Sequence, residues 1–200
     1  MFITFEGCEA SGKSTQAAIL RDYFIYEGRK VFFTKEPGGT ALAEQLREII
    51  LKSEIKDVLT EFLLLSAARR DHVMKIRKKL EEGCVVISDR FYDSSVVIQG
   101  LAKNLDEDFV LGVTKHLLDG VSPDVTFVLD VSVDTLRERL EVSSRKRNFY
   151  DEKEPDFHRK VKEGFLSIAK KDPKRIVVVD ADQDVYSIAA QIKNFLEAYC

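Results

Sequence analysis

Cysteine is scarce in this sequence. Cys8, Cys84 and Cys200 lie far apart, which excludes a disulfide framework or a cysteine-rich zinc cluster and fits a reducing cytosol. The three histidines are just as scattered. A surplus of either charge is also lacking: a formal net charge of −3 over 200 residues leaves no basic excess of the kind that phosphate-backbone binders carry. Nucleic acid is therefore not an expected partner, and any phosphate site has to be local. Nowhere do eighteen apolar residues follow one another, and the opening MFITFEG carries no basic leader. No membrane association is expected, and the chain reads as cytoplasmic. Repeats and low-complexity linkers are missing too. At 44% hydrophobic, the chain is long enough for one well-buried core and short for two, so a single domain over 1–200 is expected.

What is present is an alternation. Short β-rich runs (FITFE, KVFFT, CVVISD, DVTFVLDV and RIVVVDA) are separated by longer helical patterns, which predicts parallel βαβ units and an α/β sheet layered with helices. The last helix is the clearest. Val185, Ile188, Ala189, Ile192, Phe195, Leu196 and Tyr199 recur at three-and-four spacing, with Asp184 as its cap. Another long helix is predicted from about Thr60, as N-cap, to Gly83. The least apolar region, EVSSRKRNFYDEKEPD at 141–156, is either a solvated connection or a lid.

The motif with chemistry in it is FEGCEASGKSTQ, which matches G-x-x-x-x-G-K-[ST] at Gly7, Gly12, Lys13 and Ser14. MFITFEG reads as a strand and KSTQAAILRDYFIYEG as a helix ending at Gly28, so the loop has the strand-to-helix setting that phosphate cradling requires. Gly7, Cys8, Glu9, Ala10, Ser11, Gly12, Lys13, Ser14 and Thr15 are the predicted nucleotide-binding residues. Backbone N–H groups and the helix N-terminus would hold phosphate oxygens, Lys13 would bridge the β- and γ-phosphates, and Ser14 would bind Mg2+. VVISDRF ends an apolar strand in Asp89 and Arg90, where open α/β sheets bind ligands. Asp89 is the second predicted metal residue, and Arg90 a phosphate clamp. Arg47, Arg69, Arg70, Arg145 and Arg147 follow different strands, as expected where two phosphate groups are brought together. Cys8 sits where Lys13, amides and the helix N-terminus favour a reactive thiolate, unless the side chain points into the sheet. Cys84 is expected to be buried.

At FEGCEASGKST, TKEPGGT, LLSAARRDHV, SDRFYDSSVVIQG, PDVTFVLDV and VDADQDV, in that order and nearly end to end, the chain resembles the bacterial thymidylate kinases. The resemblance implies a five-stranded parallel sheet with helices on both faces and a short lid. It also implies ATP and Mg2+, dTMP as acceptor, dTDP as product, and a homodimer. By matching position, Glu9 lies near the acceptor sugar and phosphate, while Glu36 and Pro37 fall in the acceptor-binding E-P-G-G-T segment. Arg47 and Arg90 clamp the acceptor phosphate, Arg69 reads the thymine, and Ser95 and Gln99 reach the base edge. Lys35 stands where arginine is common. Ala10 stands where one branch of the family carries a catalytic arginine, which makes Arg145 and Arg147 of the lid the candidates; Asn148 and Phe149 replace a frequent Asp-Arg pair there. Leu65 occupies the place of the usual stacking aromatic, and Ile98 that of the aromatic guarding the sugar's 2′ position. Lys13, Glu9, Arg90, Arg145 and Arg147 form the expected catalytic set. The rival readings are a kinase for another nucleoside monophosphate, an ATP-binding module without turnover, and a GTP-dependent switch. The last is opposed by the lack of D-x-x-G after the loop and of N-K-x-D anywhere.

Overall fold

In the computed structural model of the chain, residues 1–142 and 155–199 are described. Five strands form one parallel sheet: β1 (Phe2–Gly7), β2 (Val31–Lys35), β3 (Val85–Asp89), β4 (Val125–Asp130) and β5 (Ile176–Asp180). Their order is β2-β3-β1-β4-β5, with β1 between β3 and β4. The order therefore reverses beside β1, and the crevice outside the carboxyl ends of β1, β3 and β4 is where such sheets take ligands.

Both faces of the sheet are covered, which is why its strands read as apolar runs rather than clean alternations. Phe2 and Val86 point to one face, where Val73 and Ile76 of α3 (Val58–Glu81) and Phe91 close a core. Ile3, Phe5, Val85 and Ile87 point to the other, meeting Ala17, Leu20 and Phe24 of α1 (Lys13–Tyr26), Val161 and Phe165 of α7 (Pro155–Lys171) and Ile188 of α8 (Val185–Tyr199). The remaining helices are α2 (Ala41–Lys52), α4 (Tyr92–Ser95), α5 (Glu107–Leu118) and α6 (Val133–Val142). A π-helical segment, Val96–Ala102, continues α4. Among the described residues no helix is long and apolar enough to cross a membrane.

Two sequence expectations change. The long helix begins before Thr60: Asp57 is its N-cap, and its carboxylate accepts from the Thr60 backbone N–H at 2.7 Å. Thr60 lies inside the first turn and donates its hydroxyl to that same carboxylate. Asp184 does cap α8, accepting from the Tyr186 and Ser187 N–H groups. The apolar stripe of α8, however, is wider than its buried face: Ile188, Ile192 and Leu196 are buried, whereas Val185 and Tyr199 are exposed.

Candidate active site

Between β1 and α1 the backbone turns through left-handed conformations at Gly7, Ala10 and Gly12. Gly7 cannot be anything larger, since a Cβ there would stand 2.7 Å from the Leu129 carbonyl oxygen of β4. The loop folds around Lys13, whose ammonium donates to the Cys8 carbonyl at 2.5 Å and to Ser11 Oγ at 3.3 Å. Burial holds the Lys13 ammonium below its usual pKa, and Arg90 adds to that effect. One residue on, the Ser14 hydroxyl donates to the Asp89 carboxylate. The first turn of α1 and the end of β3 thus place a hydroxyl and a carboxylate side by side, an oxygen pair of the kind that holds a hard divalent cation together with phosphate and water. Among the described residues there is no cluster of three or more acids, histidines or cysteines that could hold a metal by itself.

Opposite the loop stands a wall of arginines. Arg90, at the end of β3, has a φ of 70° and is pinned there by its N–H to the Phe5 carbonyl and by Ser88 Oγ, which donates to the Arg90 carbonyl. Its guanidinium donates to the Gly7 carbonyl and to Ser94 Oγ, both at 3.0 Å, and to Glu9 at 2.7 Å. Burial opposes that charge, but Glu9 and Glu6 outweigh it and keep Arg90 protonated more firmly than usual. Glu6 lies beneath. Its carboxylate accepts from the Phe91 and Ser94 N–H groups and from Ser94 Oγ, and burial pushes its pKa up to about 7 despite the nearby Arg90.

The segment after β2 carries a cis Glu36–Pro37 bond and two left-handed glycines, and Thr40 caps α2 by accepting from the Ala43 N–H. A Cβ on Gly39 would meet His72 Nε2 at 2.4 Å and Thr34 Oγ1 at 2.5 Å, so only glycine lets the turn close over that pair. Arg47, on α2, donates to the Pro37 carbonyl at 2.7 Å. Glu36 is buried between Arg69 Nε at 2.7 Å and His72 Nδ1 at 3.0 Å. Burial works against its charge, yet Arg69 and His72 together hold its carboxyl below the usual range. Arg69 also donates to Ser95 Oγ at 3.0 Å and to the Phe91 carbonyl at 3.3 Å.

These groups line one open cleft of about 590 Å³, which gathers the loop residues Glu9 to Thr15 with Glu36, Pro37, Arg47, Leu65, Arg69, Asp89, Arg90, Ser95, Ile98 and Gln99. Arg70 is not among them: it faces α5, donating to the Leu117 carbonyl. Arg145 and Arg147, with Asn148 and Phe149 and most of the 141–156 segment, lie outside the described residues. The Cys8 side chain turns away from the cleft. It is 5% exposed, it donates to the His158 carbonyl of α7 at 3.7 Å, and burial pushes its thiol pKa up rather than down. The expected reactive thiolate is thus corrected to a buried thiol that pins the loop against α7; Cys84 is buried, as expected.

Three residues near the cleft escaped sequence reasoning. Arg139 of α6 lines it beside Gly12 and donates to the Ser11 and Ala181 carbonyls. His72 orders Glu36 from the fully buried face of α3. Glu61 holds Gln99, and its only sequence signal was one acid in front of the apolar run FLLL.

Comparison with known proteins points to one family. The thymidylate kinase family model matches residues 5–192. A curated thymidylate kinase of Mycoplasma capricolum subsp. capricolum is 41% identical over 98% of this chain and 95% of its own. One from Symbiobacterium thermophilum is 39% identical over 98% and 92%. The crystal structure of a thymidylate kinase from Ehrlichia chaffeensis superposes with a TM-score of 0.81 at 35% identity, covering 98% of each chain. A cleft with a phosphate loop on one side and arginines on the other, matched at this identity from end to end, places the chain in the thymidylate kinase family.

Proposed function

We propose that the chain, an ATP-dependent nucleoside monophosphate kinase by family, moves the γ-phosphoryl group of ATP to a dTMP phosphate oxygen by using the two sides of its cleft separately. Residues Gly7 to Thr15 hold the donor, with Lys13 on its β- and γ-phosphates, where its present partners, the Cys8 carbonyl and Ser11 Oγ, give way. Ser14 and Asp89 fit Mg2+, which when bound neutralises charge developing on the donor phosphates. Arg90 and Arg47 clamp the acceptor phosphate, Glu9 and Arg90 exchanging their mutual pair for substrate contacts. Arg69, Ser95 and Gln99 meet the base, and Leu65 covers its face. The acceptor oxygen is already anionic, so positioning and charge stabilisation supply the catalysis and no strong base is required. With Ala10 in the loop, Arg145 and Arg147 are the arginines proposed to cross the transferring group. The chain is proposed to act as a cytoplasmic homodimer.

The observation that carries this reading is the Ser14–Asp89 pair facing Arg90, Arg47 and Arg69 across one cleft. ADP release coupled to a reporter, with dTMP, dUMP, UMP, CMP, AMP and GMP as acceptors, tests it. Turnover fastest with dTMP, dependent on Mg2+, and nearly abolished in a folded Lys13→Ala variant is expected. A variant with undiminished turnover, or a wild type that prefers another acceptor, would sink it.

A further inference from the structure

Gln99 lines the cleft from the π-helical segment, and its side chain is held by a residue without a role so far. Glu61, in the first turn of α3, is 4% exposed. One of its oxygens accepts from Gln99 Nε2 at 2.5 Å, and the other from the ammonium of Lys103, just past the end of that segment. A carboxylate paired with an ammonium offers lone pairs and no proton, so it can take only the NH2 end of a carboxamide. The carbonyl end of Gln99 is thereby turned the other way, on a residue that lines the cleft.

We propose that Glu61 is a positioning residue for acceptor choice: it locks the Gln99 carboxamide so that the cleft meets its carbonyl oxygen and never its NH2 group. Arg69, which lines the same cleft, commits three of its N–H groups to Glu36, Ser95 and Phe91 and has others left, so the cleft lining includes both an acceptor and a donor. That pair complements an imide edge, in which a ring N–H lies beside a carbonyl oxygen. A cytosine edge is reversed at both points, its ring nitrogen accepting and its exocyclic amine donating. Sites built to hydrogen-bond a substrate reject the mismatched analogue because their own polar groups are left unpaired. The proposal rests on the reading above in which Gln99 and Arg69 face the base.

Its test compares dTMP with dCMP in the wild type, Glu61→Gln and Lys103→Arg, by kcat/KM and by calorimetric binding. Glu61→Gln keeps shape but can donate as well as accept, which frees the Gln99 amide to turn. The dTMP:dCMP ratio is expected to fall at least 10-fold in Glu61→Gln with the KM for ATP unchanged. In Lys103→Arg, which keeps the carboxylate and its cation, the ratio should hold. Equal losses with both nucleotides in Glu61→Gln would mean a merely structural role and overturn the proposal. A second reading needs no variant: in the wild-type spectrum the Gln99 side-chain NH2 resonances should stay unmoved on adding dTMP while its carbonyl carbon shifts, and the opposite pattern would refute the lock. A wild type without dTMP turnover would overturn the functional reading alone, since binding and spectra still report the orientation. Tighter wild-type binding of dCMP than of dTMP would overturn the orientation itself.

Discussion

Glu6 sits under the phosphate loop with no exposed surface, and its carboxylate joins the end of β1 to the start of α4. Its hydrogen bonds and Arg90 favour the charge, but burial costs more, so its pKa rises from 4.5 to about 7. The sign of the linkage follows. Between these values the folded chain binds one proton more than the unfolded chain, and this group's contribution to stability is lost as pH rises through the window. The free-energy difference between Glu6→Gln and the wild type should therefore move in the variant's favour from pH 4.5 to 7, by on the order of 3 kcal/mol. Urea unfolding at half-unit pH steps measures it, and a difference constant with pH would contradict the shift. That Lys13, Ser14 and Asp89 gather at one cleft was legible, because a motif carried them. Where direction mattered the sequence was silent: Cys8 lies in the loop by number, yet its side chain leaves it for α7.

At the scale of elements, the π-helical segment carries Ile98 and Gln99 into the cleft, and α7 sits directly behind it. Contact is close because Gly164 faces it: a Cβ there would stand 2.8 Å from Val97 Cγ1 and 3.4 Å from Leu101 Cδ1. Replacing glycine in a helix normally gains about 1 kcal/mol with alanine. Overpacking a filled core costs about 1–3 kcal/mol, and Val97, wholly buried and β-branched, cannot swing aside. The second effect should win. Gly164→Ala is expected to lose stability despite its better helix propensity, and Gly164→Val to lose more, with a raised KM for the acceptor and an unchanged KM for ATP. Thermal unfolding and steady-state kinetics measure both effects, and a Gly164→Val protein as stable as the wild type would rule out the close contact. All five strands were legible as apolar β-rich runs, and the ends of α3 nearly so; its cap was misplaced because Asp57 and Thr60 are both good caps and only the backbone decides between them. The π-helical segment was not legible, since Val96–Ala102 reads as an ordinary continuation of a helix.

The strand order belongs to the whole molecule, and no local pattern could give it: β1 pairs with both β3 and β4, and such partners are chosen by which crossovers bury the most apolar surface. Assembly is a question at the same scale. Leu63 and Met74 on α3 are 51% and 49% exposed, and a spacing of eleven residues returns a helix to nearly the same face. Leu59 lies one turn before Leu63, and Phe109 of the adjoining α5, in ring contact with Phe62, is exposed as well. An apolar strip across two packed helices suits a self-complementary two-fold interface, in which each substitution is felt twice. Leu63→Glu would place one carboxylate from each copy in that strip, a desolvation cost that a two-fold contact doubles. In sedimentation equilibrium the wild type should therefore behave as twice its 22.8 kDa chain, Leu63→Glu as one chain, and Tyr26→Glu, at an 87% exposed position on α1, as the wild type does. Because Leu63 is not among the residues that line the cleft, the Leu63→Glu monomer is expected to keep the wild-type affinity for ATP. A Leu63→Glu protein that still sediments as two chains would place the contact on another face.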